Sequence, residues 1–149
     1  MRATELLEKD HARIDELFAE LDRSGGESAK NVKRIFGEIM QEIELHSDLV
    51  ERFLHPVLAG STREPLLAES EAAQEETAAL LRQIGNLEPG EEAFVRRMAD
   101  LRSRFRNHAE AERTRLVPFV KSRMSDKQLE DLGTLIEAHK AHRNSGPKE

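Results

Sequence analysis

Apolar residues recur along this chain at alternating intervals of three and four, the period of one helix face, in four successive stretches. The first runs from about residue 3 to 22 and carries Leu7, His11, Ile14, Phe18 and Leu21. The paired glycines of SGGES, Ser24 to Ser28, break it, and Ser28 can cap a second helix. That second stretch, about 27 to 58, aligns Val32, Ile35, Ile39, Ile43, His46, Val50, Phe53 and Val57. After GSTREP, Gly60 to Pro65, a third covers 64 to 86 with Leu66, Ser70, Ala73, Thr77, Leu80 and Ile84, the least apolar seam of the four. The turn Asn86 to Gly90 leads into the fourth, about 91 to 123, with Phe94, Met98, Leu101, Phe105, His108, Glu112 and Phe119. Ser125 with Gln128 reads as a capping box opening a shorter segment whose apolar side is Leu129, Leu132, Leu135 and Ile136. The expected fold is all-α: an up-down-up-down antiparallel four-helix bundle with a short C-terminal fifth helix. One domain over 1–142 and a disordered tail over 143–149 complete the expectation.

Composition sharpens this without redirecting it. A chain of 149 residues buries enough surface for one independent core. With 8 Gly, 5 Pro and 35% charged residues, it favours helix over strand. A net charge of −6 without a basic run speaks against nucleic acid as a partner. The absence of cysteine excludes disulfides, thiolate metal sites and cysteine-held clusters, and leaves histidine and carboxylate as the strong ligands. No segment has the length and apolarity of a membrane span or a signal peptide, so the chain reads as soluble and cytoplasmic.

The seams contain polar residues that need a reason to be there. His11, His46 and His108 occupy core slots on three different helices, and Glu112 comes one turn after His108 on the same face. A lone histidine in a core is more often a hydrogen-bonded structural residue than a ligand. Three converging with a carboxylate favour a shared cation, because a buried carboxylate must be neutralised or protonated. Nitrogen and oxygen donors without sulfur suit iron, manganese or zinc alike. His46 and His108 also begin a weak internal repeat, HSDLVERFLHP and HAEAERTRLVP, each reaching a proline ten residues on, with Val50 in the first copy where the second has Glu112. Elsewhere the plainer reading holds: His55, His139 and His142 face solvent, and Glu75, Glu76, Glu91 and Glu92 form solvated helix faces.

These residues resemble the hemerythrin-like HHE cation-binding domain family: EKDHARIDELF around His11, the two histidine-to-proline segments, and a helix between them. The resemblance implies a four-helix bundle around a non-haem di-iron centre with terminal histidines and two bridging carboxylates, in proteins that handle dioxygen, nitric oxide, iron or oxidative stress. Carried over by position, His11 is the first-helix ligand, His46 the second-helix ligand, His108 the fourth-helix ligand and Glu112 one bridging carboxylate. Val50 replaces the other bridging carboxylate, and Ala73 and Thr77 replace two third-helix histidines. The expectation is therefore a degenerate site of His11, His46, His108 and Glu112 holding one metal ion, iron or alternatively zinc, and binding dioxygen or nitric oxide at an open position. Glu51, Gln74 and Glu76 could complete a second site only if each turned about 100° off its own face. The alternative is a metal-free structural or regulatory bundle in which Glu112 pairs with a protonated histidine. An enzyme ranks below both, since no substrate pocket or separate general acid is legible.

Overall fold

The computed structural model describes residues 1–24, 28–59 and 64–145, and among these every regular element is helical. In chain order they are α1 (Ala3–Arg23), α2 (Ala29–Leu49), a π-helical turn Val50–Leu54, α3 (His55–Leu58), α4 (Glu64–Gly85), α5 (Glu92–Ala111), a second π-helical turn Glu112–Leu116, α6 (Val117–Arg123) and α7 (Asp126–Ser145). The long stretches expected from periodicity are therefore α1, α2 to α3, α4, and α5 to α6. Ser28 caps α2 by accepting a hydrogen bond from the Asn31 amide at 3.3 Å. Ser125 and Gln128 exchange the reciprocal bonds of a capping box at the start of α7, at 2.8 and 3.1 Å. The centres of the two serine- and glycine-rich breaks, 25–27 and 60–63, and the last four positions of the expected tail, 146–149, lie outside the described residues.

The fifth helix is not short: α7 has 20 residues against 21 in α1. It packs along α1 through a cluster of Ala3, Leu6, Leu49 and Ile136, with Leu132 at the edge. Its inward side is Leu129, Leu132 and Ile136, whereas Leu135, expected on that side, is 58% exposed. Gly133 sits at the closest approach, where a Cβ would stand 1.9 Å from the Met1 carbonyl oxygen. Because α7 covers its first half, α1 is buried there over a stripe wider than its own seam, taking in Leu6 and Asp10 as well as Leu7 and Ile14.

Both π-helical turns have the same local cause. Proline inside a helix lacks an amide donor, and its ring collides with the carbonyl four residues before it. Pro56 and Pro118 would strike the carbonyls of Arg52 and Thr114, the middle residues of the two turns. Widening the helix relieves that clash, and the His55 and Val117 amides instead donate to the carbonyls of Val50 and Glu112, five residues back. Each widened turn costs the helix one residue of rotation, so inward positions beyond it move up by one. Leu54 and Leu58 are fully buried where Phe53 and Val57 were expected, and Val120 takes the core slot expected of Phe119.

Two apolar cores result. One gathers Ile14, Phe18, Ile35, Ile39, Ile43, Leu80, Leu81, Ile84, Met98, Leu101 and Phe105. The other gathers Leu7, Val50, Leu54, Leu58, Leu66, Leu116, Val117, Val120 and Leu129. Between them lies a polar layer: His11 falls between Leu7 and Ile14, His46 between Ile43 and Val50, His108 and Glu112 between Phe105 and Leu116, and Ser70 to Thr77 between Leu66 and Leu80.

Candidate metal centre

Glu112 is the centre of that layer. It is the first residue of the second π-helical turn, is 2% exposed, and has an imidazole against each oxygen. His11 Nε2 lies 2.7 Å and His46 Nε2 2.8 Å from Oε1, each placed for an N–H to donate to the carboxylate. His108, one turn earlier on the same helix, brings its Nε2 to 2.5 Å from Oε2. The rings meet edge to face, with His11 and His46 centroids 4.9 Å apart and His46 and His108 6.4 Å apart. Phe105 closes one side against the His11 ring at 5.9 Å. All four residues predicted from the seams, His11, His46, His108 and Glu112, thus meet at one carboxylate.

They do not meet equivalently. One ligand atom each of His11, His46 and Glu112 lies within 4.8 Å of the others, a set from which His108 is absent. The His108 to Glu112 contact is off the hydrogen-bonding axis, which leaves His108 Nε2 and Glu112 Oε2 buried without a satisfying partner. Beside both atoms a cavity of about 250 Å³ opens toward α4, lined by Ser70, Ala73 and Thr77 and reaching Asn107 and Arg104. Small side chains on α4 are the reason for the space, and Thr77 turns its hydroxyl to the Ala73 carbonyl at 2.9 Å instead of into it.

Burial and pairing set the electrostatics. Burial opposes charge on both Glu112 and His46, and their mutual attraction overcomes it. The charge of His46, with contacts from His108, His11 and His46, holds the Glu112 carboxyl well below its usual range. His46 stands between two carboxylates, with Glu112 at Nε2 and Asp10 Oδ2 at 3.0 Å from Nδ1. Against the penalty of burial, Glu112 and Asp10 push its pKa up to about 10. Asp10 is buried too, and its other oxygen accepts from Lys140 Nζ at 2.5 Å.

Several polar residues differ from their expected positions. His55 is buried, 7% exposed, and hydrogen-bonded to the Ser70 hydroxyl at 2.8 Å, and burial lowers its pKa. His139 is half-buried, with Nε2 2.9 Å from Asp48 Oδ2 and its ring against Phe53, while His142 is exposed as expected. Asp10 and Lys140 were not anticipated: Asp10 is one position off the α1 seam and is buried because α7 covers that flank. Of the possible substitute ligands, Glu51 is exposed, Glu76 pairs with Arg104 at 3.0 Å, and Gln74 donates to the Ser47 carbonyl at 3.2 Å. Among the described residues no helix is long and apolar enough to cross a membrane.

A buried carboxylate ringed by imidazoles, with one oxygen and one ring nitrogen unsatisfied beside a cavity, has the donor set and the unmet valence of a cation site. Comparison with known proteins points the same way. Residues 2–120 match the family described as Hemerythrin HHE cation binding domain. No curated protein matches the chain. A crystal structure of a hemerythrin HHE cation binding domain-containing protein from Mycobacterium kansasii is similar in fold, with a TM-score of 0.85 and 21% identity over 97% of this chain and 89% of that one.

Proposed function

This chain belongs to the hemerythrin HHE cation-binding family, and from that premise we propose that it is a metal-binding protein whose site, built on His11, His46, His108 and Glu112, takes one ion. Iron is the preferred occupant and zinc the alternative, since three imidazoles and a carboxylate suit both. The carrying observation is the clustering of His11, His46 and Glu112 ligand atoms within 4.8 Å, with His108 on the carboxylate's far oxygen. His11 and His46 would hold the ion from one side and Glu112 would carry the compensating charge. A bound iron would supply a coordination position for dioxygen or nitric oxide. The cavity beside Glu112 Oε2 gives such a molecule room, Phe105 limits water near the His11 ring, and Asp10 holds the His46 ring in orientation through Nδ1.

Val50 bears on stoichiometry. It begins the first π-helical turn as Glu112 begins the second, and it is fully buried in the apolar core. No second carboxylate therefore enters the layer at that position, which speaks for one ion and against reversible dioxygen carriage by a two-iron centre.

A second reading has its own observation. Lys140, Asp10, His46 and Glu112 alternate in charge and pair in sequence without a metal, as in a structural or regulatory ion network, although Glu112 Oε2 stays outside it. Elemental analysis of untagged protein, before and after anaerobic Fe(II) loading, separates the two. About one ion per chain, lost in His46→Ala and Glu112→Ala, supports the metal reading. No ion after loading supports the network, and two ions would refute the single-ion assignment.

A further inference from the structure

The family match ends at residue 120, yet one side chain beyond it reaches the site. Lys140, on α7, extends its ammonium between helices to Asp10, which in turn holds His46. The two Asp10 oxygens serve different partners: Oδ1 accepts from Lys140 Nζ at 2.5 Å and Oδ2 accepts from His46 Nδ1 at 3.0 Å. Each interaction is largely sheltered, since the Asp10 side chain is 9% and Lys140 22% exposed. We propose that Lys140 is a positioning residue of the metal centre, and that α7 is thereby part of that centre instead of a cover laid over the bundle.

A carboxylate bonded to one imidazole nitrogen fixes the ring's tautomer and rotation and strengthens the other nitrogen as a donor. Asp10 can do this only while it is ionised and fixed, and a buried carboxylate keeps its charge only with a cation or several donors beside it. Among the described residues, Lys140 is the cation in contact with Asp10 apart from the imidazole itself, and it is held by a helix that docks independently of the site. That docking uses Leu132 and Ile136 against Leu6 and Leu49, the His139 to Asp48 bond at 2.9 Å, and the close approach of Gly133 to Met1. Lys140 thus arrives at Asp10 from a fixed base.

The inference rests on the metal reading above, and the experiment distinguishes failure of one from failure of the other. Co(II) serves as the probe because its visible spectrum reports coordination and its uptake can be titrated without turnover. Wild type, Lys140→Met, Lys140→Arg, Asp10→Asn and His46→Ala are compared, with helicity and hydrodynamic radius measured for each. The expected result is that Lys140→Met and Asp10→Asn weaken Co(II) binding about 10- to 100-fold, the usual effect of losing a group that orients a ligand. Both should also alter the Co(II) spectrum, and Lys140→Arg should restore affinity and spectrum. Lys140→Met that binds as wild type with an unchanged spectrum overturns the proposal while leaving the metal reading standing. Weakened binding with an unchanged spectrum, or without rescue by arginine, also overturns it, since a merely structural role gives that pattern. If wild type takes up no Co(II), or His46→Ala binds as well as wild type, the metal reading falls and the proposal falls with it. Should Lys140→Met lose its fold, Lys140→Gln, which removes the charge and keeps a polar end, carries the same decision.

Discussion

Glu112 and His46 are each costly to bury alone and tolerable together, and that coupling has a measurable signature in the metal-free protein. His46 is raised from 6.5 to about 10 in the fold. Its contribution to stability is therefore fully present below pH 6.5 and is lost as pH rises toward 10. Glu112 is shifted the other way, so its contribution is present above its ordinary 4.5 and is lost as pH falls through its depressed folded value. In chelator, thermal melts should show greatest stability between about pH 4.5 and 6.5, with the midpoint falling from about pH 6.5 to 9. His46→Gln should flatten that alkaline limb. An equally flat profile in wild type would show that His46 is not held as an imidazolium. At this scale the sequence was informative where a polar residue fell on a clean 3,4 seam, which is how His11, His46, His108 and Glu112 stood out. Asp10 was illegible because its burial comes from a helix more than a hundred residues away in sequence, not from its own periodicity. The excess width of the α1 apolar stripe, Leu6 beside Leu7, was the available signal.

Element boundaries agreed closely with periodicity and with glycine and proline breaks, but the register past each mid-helix proline did not. Counting nine residues at about 100° each puts His55 on the face opposite His46, whereas losing one residue of rotation brings it within about 80°. Pro56 and Pro118 were visible, and a rule that proline within a long helix widens the preceding turn would have placed His55, Leu54 and Val120 inside. Inserting one alanine after Arg113, an exposed residue of the second π-helical turn, should rotate α6 by about a further 100° relative to α5. Leu116, Val117 and Val120 would leave the core, and the loss should be about 3 kcal/mol or more in a denaturant titration. Arg113→Ala, which removes only an exposed pair with Glu110, should be near neutral; equal stability of the insertion variant and wild type would mean that the widened turn sets no register. The docking of α7 has a similar test. Gly133→Ala places a methyl against the Met1 carbonyl and should lower stability by about 1 to 3 kcal/mol, and a neutral result would show that the N-terminus yields without cost.

Across the whole molecule, the polar layer is complete on three helices and thin on the fourth. α1, α2 and α5 with its π-helical turn contribute His11, His46, His108 and Glu112, while α4 contributes Ser70, Ala73 and Thr77 and leaves the cavity beside Glu112 Oε2. Val50 occupies the position related to Glu112 by the internal repeat, and both begin a π-helical turn at the boundary with the same apolar core. Filling those three places is therefore a test of the layer as a unit. Val50→Glu, Ala73→His and Thr77→His together should raise the metal content from about one ion per chain to two under anaerobic Fe(II) loading. Without metal, the same variant buries a new carboxylate with no assured partner, so it should melt below wild type. Adding Fe(II) should then raise its midpoint by more than it raises that of wild type, because binding to the native state alone adds stability in proportion to occupancy. Val50→Glu by itself should show the loss of stability without the second ion. A triple variant that folds and still takes up one ion would mean that the two π-helical turns do not present equivalent positions, and that assignment of the layer by repeat would have to be abandoned.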